Sequence, residues 1–167
     1  TITNGNGTSG GAIFSIESNL ILIDLNMIYN SVNVTSSASY NTDGGGGIYS
    51  SASNIDIANS VLSNNIVIGG SSTADTGATD GLGGAISAIE NSSINIENSV
   101  INNNSVTGGG GYGAGGNGLG GGVYCNNSSI NIENSVINNN SVAGGVGGWS
   151  CDYCYDYGIT SGGGMYL

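Results

Sequence analysis

The chain has 167 residues, 33 of them Gly, and its 11 acidic residues face no Lys, Arg or His, which leaves a net charge of −11. Without a cation to neutralise phosphates, nucleic-acid binding is excluded, and so is electrostatic attachment to anionic lipid. Disorder is disfavoured by 38% hydrophobic residues with only 7% charged, and the absence of Pro excludes collagen. No apolar run approaches the roughly 20 residues that span a bilayer, so direct membrane insertion is not expected. The longest run, Leu20 to Ile23, is strand-sized.

Along the chain, Thr1-Ile2-Thr3-Asn4 reads as the middle of a repeat unit. The first complete unit opens at Gly10-Gly11-Ala12-Ile13, and related openings follow at Gly46-Gly47-Ile48-Tyr49, Gly83-Gly84-Ala85-Ile86 and Gly121-Gly122-Val123-Tyr124. A fifth, Gly163-Gly164-Met165-Tyr166, stands near the C-terminus. The units therefore cover residues 10–45, 46–82, 83–120 and 121–162, with the start of a fifth at 163–167, all within a single domain, 1–167. Residues 91–106 and 127–142 are one identical string, and looser copies run from Ile55 to Val67 and from Leu20 to Val32.

Within a unit the apolar residues alternate. Ile94 and Ile96 share one face of a strand, Val100-Ile101 begins a second strand, and Ala85-Ile86 makes a third. Three short strands with no room for crossover helices cannot form a doubly wound sheet, but coiling each unit onto its predecessor buries all three. The expected fold is all-β: a right-handed parallel β-helix, or β-solenoid, of about four rungs with Gly-rich loop insertions. Its inward column should hold Ile55, Ile57, Ile94, Ile96, Ile130 and Ile132.

Alignment of the copies stacks Asp24, Asn59, Asn98 and Asn134 at one corner and Asn30, Asn65, Asn104 and Asn140 at another. Amides donate and accept, so each column is expected to be a hydrogen-bonded asparagine ladder. The segments 68–82, 107–120 and 143–161 vary while the rungs do not, as insertions on one face of a solenoid do. Their glycines are expected to be mobile unless a partner orders them.

Gly-Gly-Ala-Ile at 10–13 and 83–86, followed by apolar-x-x-Asn units, resembles the polymorphic outer-membrane-protein repeat of chlamydial autotransporter adhesins. The second units here are Met27 to Asn30, Leu62 to Asn65, Ile101 to Asn104 and Ile137 to Asn140, in place of the family's usual Phe-x-x-Asn. The resemblance covers nearly the whole chain. It implies a right-handed parallel β-helix on a passenger-like surface protein with adhesive roles.

Enzyme chemistry has little to work with. A chain without His holds no Ser-His-Asp or Cys-His site, and one without Lys or Arg lacks the base of lyase-type β-helices. Hydrolases need paired carboxylates, and only Asp152 and Asp156 are close in sequence. The chain is read as a non-enzyme without a cofactor. Calcium is the one ion whose hard-oxygen chemistry the loops offer, through Asp75, Asp80, Asp152 and Asp156.

Cys151-Asp152-Tyr153-Cys154 has C-x-x-C spacing but no second ligand pair, so a structural disulfide, Cys125 to Cys151 or Cys154, is the favoured reading over zinc. Asn-x-Ser/Thr acceptors for glycosylation occur at Asn6, Asn33, Asn91, Asn103, Asn126, Asn127 and Asn139. Trp149, Tyr153, Tyr155 and Tyr157 cluster in the last excursion as a contact loop for sugars or a second subunit.

Two open ends complete the reading. The segment at Thr1 and the one at Leu167 together roughly supply one rung, which suggests head-to-tail stacking into a filament rising about 20 Å per subunit at ~4.8 Å per rung. The expected role is a structural subunit of an extracellular or cell-surface filament whose partner is itself. The alternative is a segment of a large β-helical adhesin that binds glycans or a host surface through its loops.

Overall fold

The computed structural model describes residues 1–34, 44–73, 77–148 and 157–167. Every named strand pairs in parallel with its counterpart one turn away, and the strands form five sheets that run along a common axis. We number the sheets in the order one turn visits them. Sheet I holds Ile13–Ile16, Ile48–Ser51, Ile86–Ile89, Val123–Cys125 and Met165–Tyr166. Sheet II holds Asn19–Ile23, Asn54–Ala58, Ser93–Glu97 and Ser129–Glu133. Sheet III runs through Ile2–Thr3, Asn26–Ile28, Val61–Ser63, Val100–Asn102 and Val136–Asn138. Sheet IV collects Asn6–Gly7, Ser31–Asn33, Ile66–Ile68, Ser105–Thr107 and Ser141–Ala143. Sheet V has only Gly81–Leu82, Gly118–Leu119 and Thr160–Ser161.

The fold is thus a right-handed parallel β-helix, as the alternation of apolar residues implies. The second, third and fourth turns each carry five strands where three were expected. In the first turn Gly44 bridges Leu82 at the sheet V position.

Four sharp corners per turn make the coil possible, and each places a residue in the left-handed region. Gly10, Gly45, Gly83, Gly120 and Gly162 turn the chain into sheet I with φ between 61° and 71°. Glu17, Ala52 and Asn127 serve the corner between sheets I and II, where Glu90 and Asn91 share the turn. Asp24, Asn59, Asn98 and Asn134 serve the next corner, and Asn4, Tyr29, Asn64, Asn103 and Asn139 the last. Asparagine tolerates this conformation best among non-glycines, which explains its concentration at corners.

The lumen is a stack of like on like. Ile94 pairs in register with Ile55 below and Ile130 above, and Ile96 with Ile57 and Ile132. Ile55, Ile57, Ile94 and Ile96 are essentially fully buried, while Ile130 and Ile132, in the last turn, are partly covered. Each buried isoleucine contributes about 1.5–3 kcal/mol. A separate small core, Val32, Val34, Val67 and Val106 with Val142 packed on it, lies inside sheet IV. Sheet V lies over the outer face of sheet I, where Leu82, Ile89 and Tyr124 pack with Tyr49, Leu119 and Tyr166.

The Gly-Gly motif has a register that differs from the expected one. Ile13, Ile48, Ile86, Val123 and Met165 are equivalent, so the corner glycines are Gly45, Gly120 and Gly162 rather than Gly46, Gly121 and Gly163. Runs of three or four glycines offer several pairs, and the apolar residue that enters the lumen decides among them. The second motif position, as at Gly46 and Gly84, runs against sheet IV backbone: a Cβ on Gly84 would sit 2.9 Å from the Ser105 nitrogen. At the third position one carbonyl accepts two N–H groups of the neighbouring turn, as Ala85 does from Gly47 at 3.0 Å and Ile48 at 2.8 Å.

Candidate functional site: the axial columns and the faces they carry

The column Asn30, Asn65, Asn104 and Asn140 is a complete amide ladder. Asn30 Nδ2 donates to Asn65 Oδ1 at 3.0 Å, Asn65 Nδ2 to Asn104 Oδ1 at 2.9 Å, and Asn104 Nδ2 to Asn140 Oδ1 at 2.9 Å. The second proton of each amide goes to a carbonyl of the turn behind, on Met27 for Asn65, Leu62 for Asn104 and Ile101 for Asn140. Each Oδ1 also accepts the preceding backbone N–H of the column, as Asn104 Oδ1 does from Asn65 at 2.9 Å. Every polar atom of a buried amide such as Asn65 or Asn104 is therefore used, which is what makes its burial tolerable. At the first turn Gly5 occupies the ladder position and donates its N–H to Asn30 Oδ1 at 2.9 Å.

The other expected ladder is displaced by one residue. Asp24, Asn59, Asn98 and Asn134 occupy the left-handed corner position, and their side chains are exposed. Asn98 turns its amide to the neighbouring Glu97 at 3.1 Å. The residue after each corner points inward instead, and from the second turn onward it is serine. Leu25, Ser60 and Ser99 donate their backbone N–H groups to Ser60, Ser99 and Ser135 Oγ at 3.1, 3.0 and 3.0 Å. Each of these hydroxyls donates in turn to a carbonyl two residues back, on Ala58, Glu97 and Glu133. A second serine ladder, Ser53, Ser92 and Ser128, lines the corner between sheets I and II.

The excursions hold the least expected arrangement. Their described parts run out and back on successive turns, and the two legs interleave through a line of backbone bonds, to which the side chains of Thr79, Asp80, Asn117 and Thr160 add contacts at the base. Thr79 N–H donates to Gly70 O at 3.0 Å, Gly109 to Thr79 at 2.9 Å, Gly116 to Gly109 at 2.8 Å, Gly145 to Gly116 at 2.8 Å and Gly158 to Gly145 at 3.0 Å. This is one continuous seam along the axis. A Cβ on Gly109 would be driven into the Gly70 carbonyl, one on Gly145 into Gly109 and one on Gly158 into Gly116. These glycines bond to one another across the turns, because backbones can approach this closely only without side chains.

The other candidate residues are placed as follows. Asn6, Asn33, Asn91, Asn103, Asn126, Asn127 and Asn139 are all exposed. Asn103 and Asn139 stack in one corner column, and Asn91 donates its N–H to the Asn127 carbonyl at 2.7 Å. Cys125 is a free, buried thiol in the lumen cluster, and burial raises its pKa. A side chain turned into the lumen is not available to an outer loop, so the expected bridge from Cys125 is not made. Cys151 and Cys154 lie outside the described residues.

Of the acids considered for calcium, Asp80 accepts the Asn117 N–H at 2.6 Å, while Asp75, Asp152 and Asp156 lie outside the described residues. Among the described residues no three metal-ligating side chains converge. Tyr157 is exposed, and Trp149, Tyr153 and Tyr155 again fall outside the described residues. Stacked rings are found on sheet I instead: Phe14 on Tyr49 at 5.1 Å and Tyr124 on Tyr166 at 5.6 Å, with Ser87 between the two pairs in the column.

No family model, curated protein or solved structure matches the chain.

Proposed function

We propose that this chain is a structural rod of an extracellular or cell-surface filament, extended by stacking turn on turn with further copies of itself. The observation that supports this reading is the direction of its hydrogen bonds. Serine ladders, an asparagine ladder and a glycine seam all run along the axis, so the chain's polar organisation serves axial continuity.

The strand register turns the reading into a number. Sheets I, III and IV have five strands each and sheet II has four. Rungs stacked in this way repeat at ~4.8 Å along the axis.

Helical analysis of electron micrographs of the purified chain tests this. Fibres in which rungs stack continuously at ~4.8 Å from copy to copy are the expected result. A protein that stays monomeric at high concentration overturns the reading.

The adhesin alternative rests on the two repeat motifs, whose structural duties are now separable. The Gly-Gly corner packs the chain against sheet IV, and the Asn of apolar-x-x-Asn is the ladder residue. Short rods that bind glycans through their loops would favour it.

A further inference from the structure

The outward positions of sheet II change character along the axis. One outward column reads Ile21, Asp56, Asn95, Asn131, and the next reads Ile23, Ala58, Glu97, Glu133. Ile21 is 72% and Ile23 52% exposed, at one end of a shallow groove of about 420 Å³ whose other end carries the carboxylates. Sheet V covers the outer face of sheet I beyond the first turn, where Phe14 and Ile16 stay exposed, whereas the sheet II face is open along its length among the described residues.

Two features of the face call for something from outside the chain. Glu97 and Glu133 are paired in register on adjacent strands, and like charges directly opposite are destabilising. Within the chain only amides answer them, Asn98 donating to Glu97 and Asn131 to Glu133, each at 3.1 Å, and no Lys, Arg or His exists to neutralise their charge. The two isoleucines, meanwhile, leave a bulky apolar rung in water.

We infer that the outer face of sheet II docks a basic amphipathic segment of another protein, its apolar end on Ile21 and Ile23 and its Lys or Arg side chains over Asp56, Glu97 and Glu133. A second copy of this chain brings no cation, anionic lipid is repelled, and a hydrated divalent ion would neutralise the acids but leave the isoleucines uncovered. The face is about 14 Å long over four strands at ~4.8 Å spacing, the rise of roughly ten helical residues. Because it runs parallel to the axis, the face stays open whether or not the chain stacks, so the inference stands apart from the filament.

The test is fluorescence anisotropy with a labelled fourteen-residue Leu/Lys peptide that has one apolar stripe, alongside oligolysine of equal charge and, by calorimetry, calcium chloride alone. The amphipathic peptide should bind at least ten-fold more tightly than oligolysine. Ile21→Ser with Ile23→Ser should lower it to the oligolysine level, and Glu97→Gln with Glu133→Gln should weaken binding and flatten its salt dependence. All four positions face outward, and circular dichroism checks that the variants fold. Equal binding of oligolysine, indifference to the isoleucine substitutions, or saturation of the face by calcium with the peptide excluded would each overturn the inference.

Discussion

The turns and the excursions solve the same problem in opposite ways. Both must satisfy backbone polar groups while the chain repeats along an axis. The turns do it with inward Ser and Asn side chains that reach the next turn's backbone, as Ser99 and Asn104 do. The excursions do it mainly with backbone, by letting carbonyl and N–H groups of Gly70, Thr79, Gly109, Gly116, Gly145 and Gly158 meet directly, with side chains such as Asp80 and Asn117 serving only at their base. The first solution tolerates variation on the outside of the coil. The second tolerates none at its contact points, yet it leaves the residues between them free to vary in number.

That difference can be broken most strongly at Asn104. Replacing it with Ala deprives Asn65 of an acceptor for both its N–H and its Nδ2, and leaves the Leu62 carbonyl and Asn140 Oδ1 short of donors. Orphaned buried groups cost about 1–3 kcal/mol each, so Asn104→Ala should lower global stability by about 3 kcal/mol or more. Urea unfolding at neutral pH reads the loss, which should appear cooperatively across all sheets. A drop under about 1 kcal/mol would mean that water replaces the amide and that the ladder is not what holds this corner.

A smaller and more local loss is expected in the seam. Gly145→Ala places a methyl against the Gly109 carbonyl and must displace the bonds from Gly145 to Gly116 and from Gly158 to Gly145. Overpacking of this kind costs about 1–3 kcal/mol. Hydrogen exchange should accelerate at Gly116, Gly145 and Gly158 while the amides of Ile94 and Ile96 stay protected. Uniform acceleration would show that the seam and the turns open as one unit.

The turns were largely legible in the sequence and the seam was not, for reasons that lie in particular residues. Alternation at Ile94-Asn95-Ile96-Glu97 signals a strand with one face in the core, and the identical strings set the stacking. Which polar residue faces inward is another matter. A corner residue with positive φ reverses the alternation locally, so Asn98 points out and Ser99 points in, and composition alone favours the wrong one. Sheet IV was hidden because Ser105-Val106-Thr107 offers a single inward apolar side chain, and sheet V because Gly118–Leu119 is two residues long. Gly108 to Gly111 looks featureless in sequence because its partners are backbone groups, of Gly116 nearby and of Thr79, Ala143 and Val146 on the neighbouring turns. Close backbone approach leaves no side-chain pattern to read.

Alkaline pH sharpens the comparison at the level of the turns and of the layer outside them. Burial raises the pKa of Cys125 in the lumen. It also raises that of Tyr124 under sheet V, an effect only partly offset by a hydrogen bond from the Asn126 side chain. Both groups are neutral when protonated, so the unfolded chain loses these protons at lower pH than the folded one. The stabilisation they contribute is complete below the ordinary thiol and phenol values, about 8.5 and 10, and is lost as pH rises through the higher folded values. Unfolding midpoints measured from pH 7 to 11 should therefore be level at first and then fall, by less than either substitution above produces. Cys125→Ala should remove the earlier part of the decline, which belongs to the lumen, and Tyr124→Phe the later part, which belongs to the contact between sheets I and V. If Tyr124→Phe leaves the later part intact, base is opening the turns themselves and the outer layer is following them.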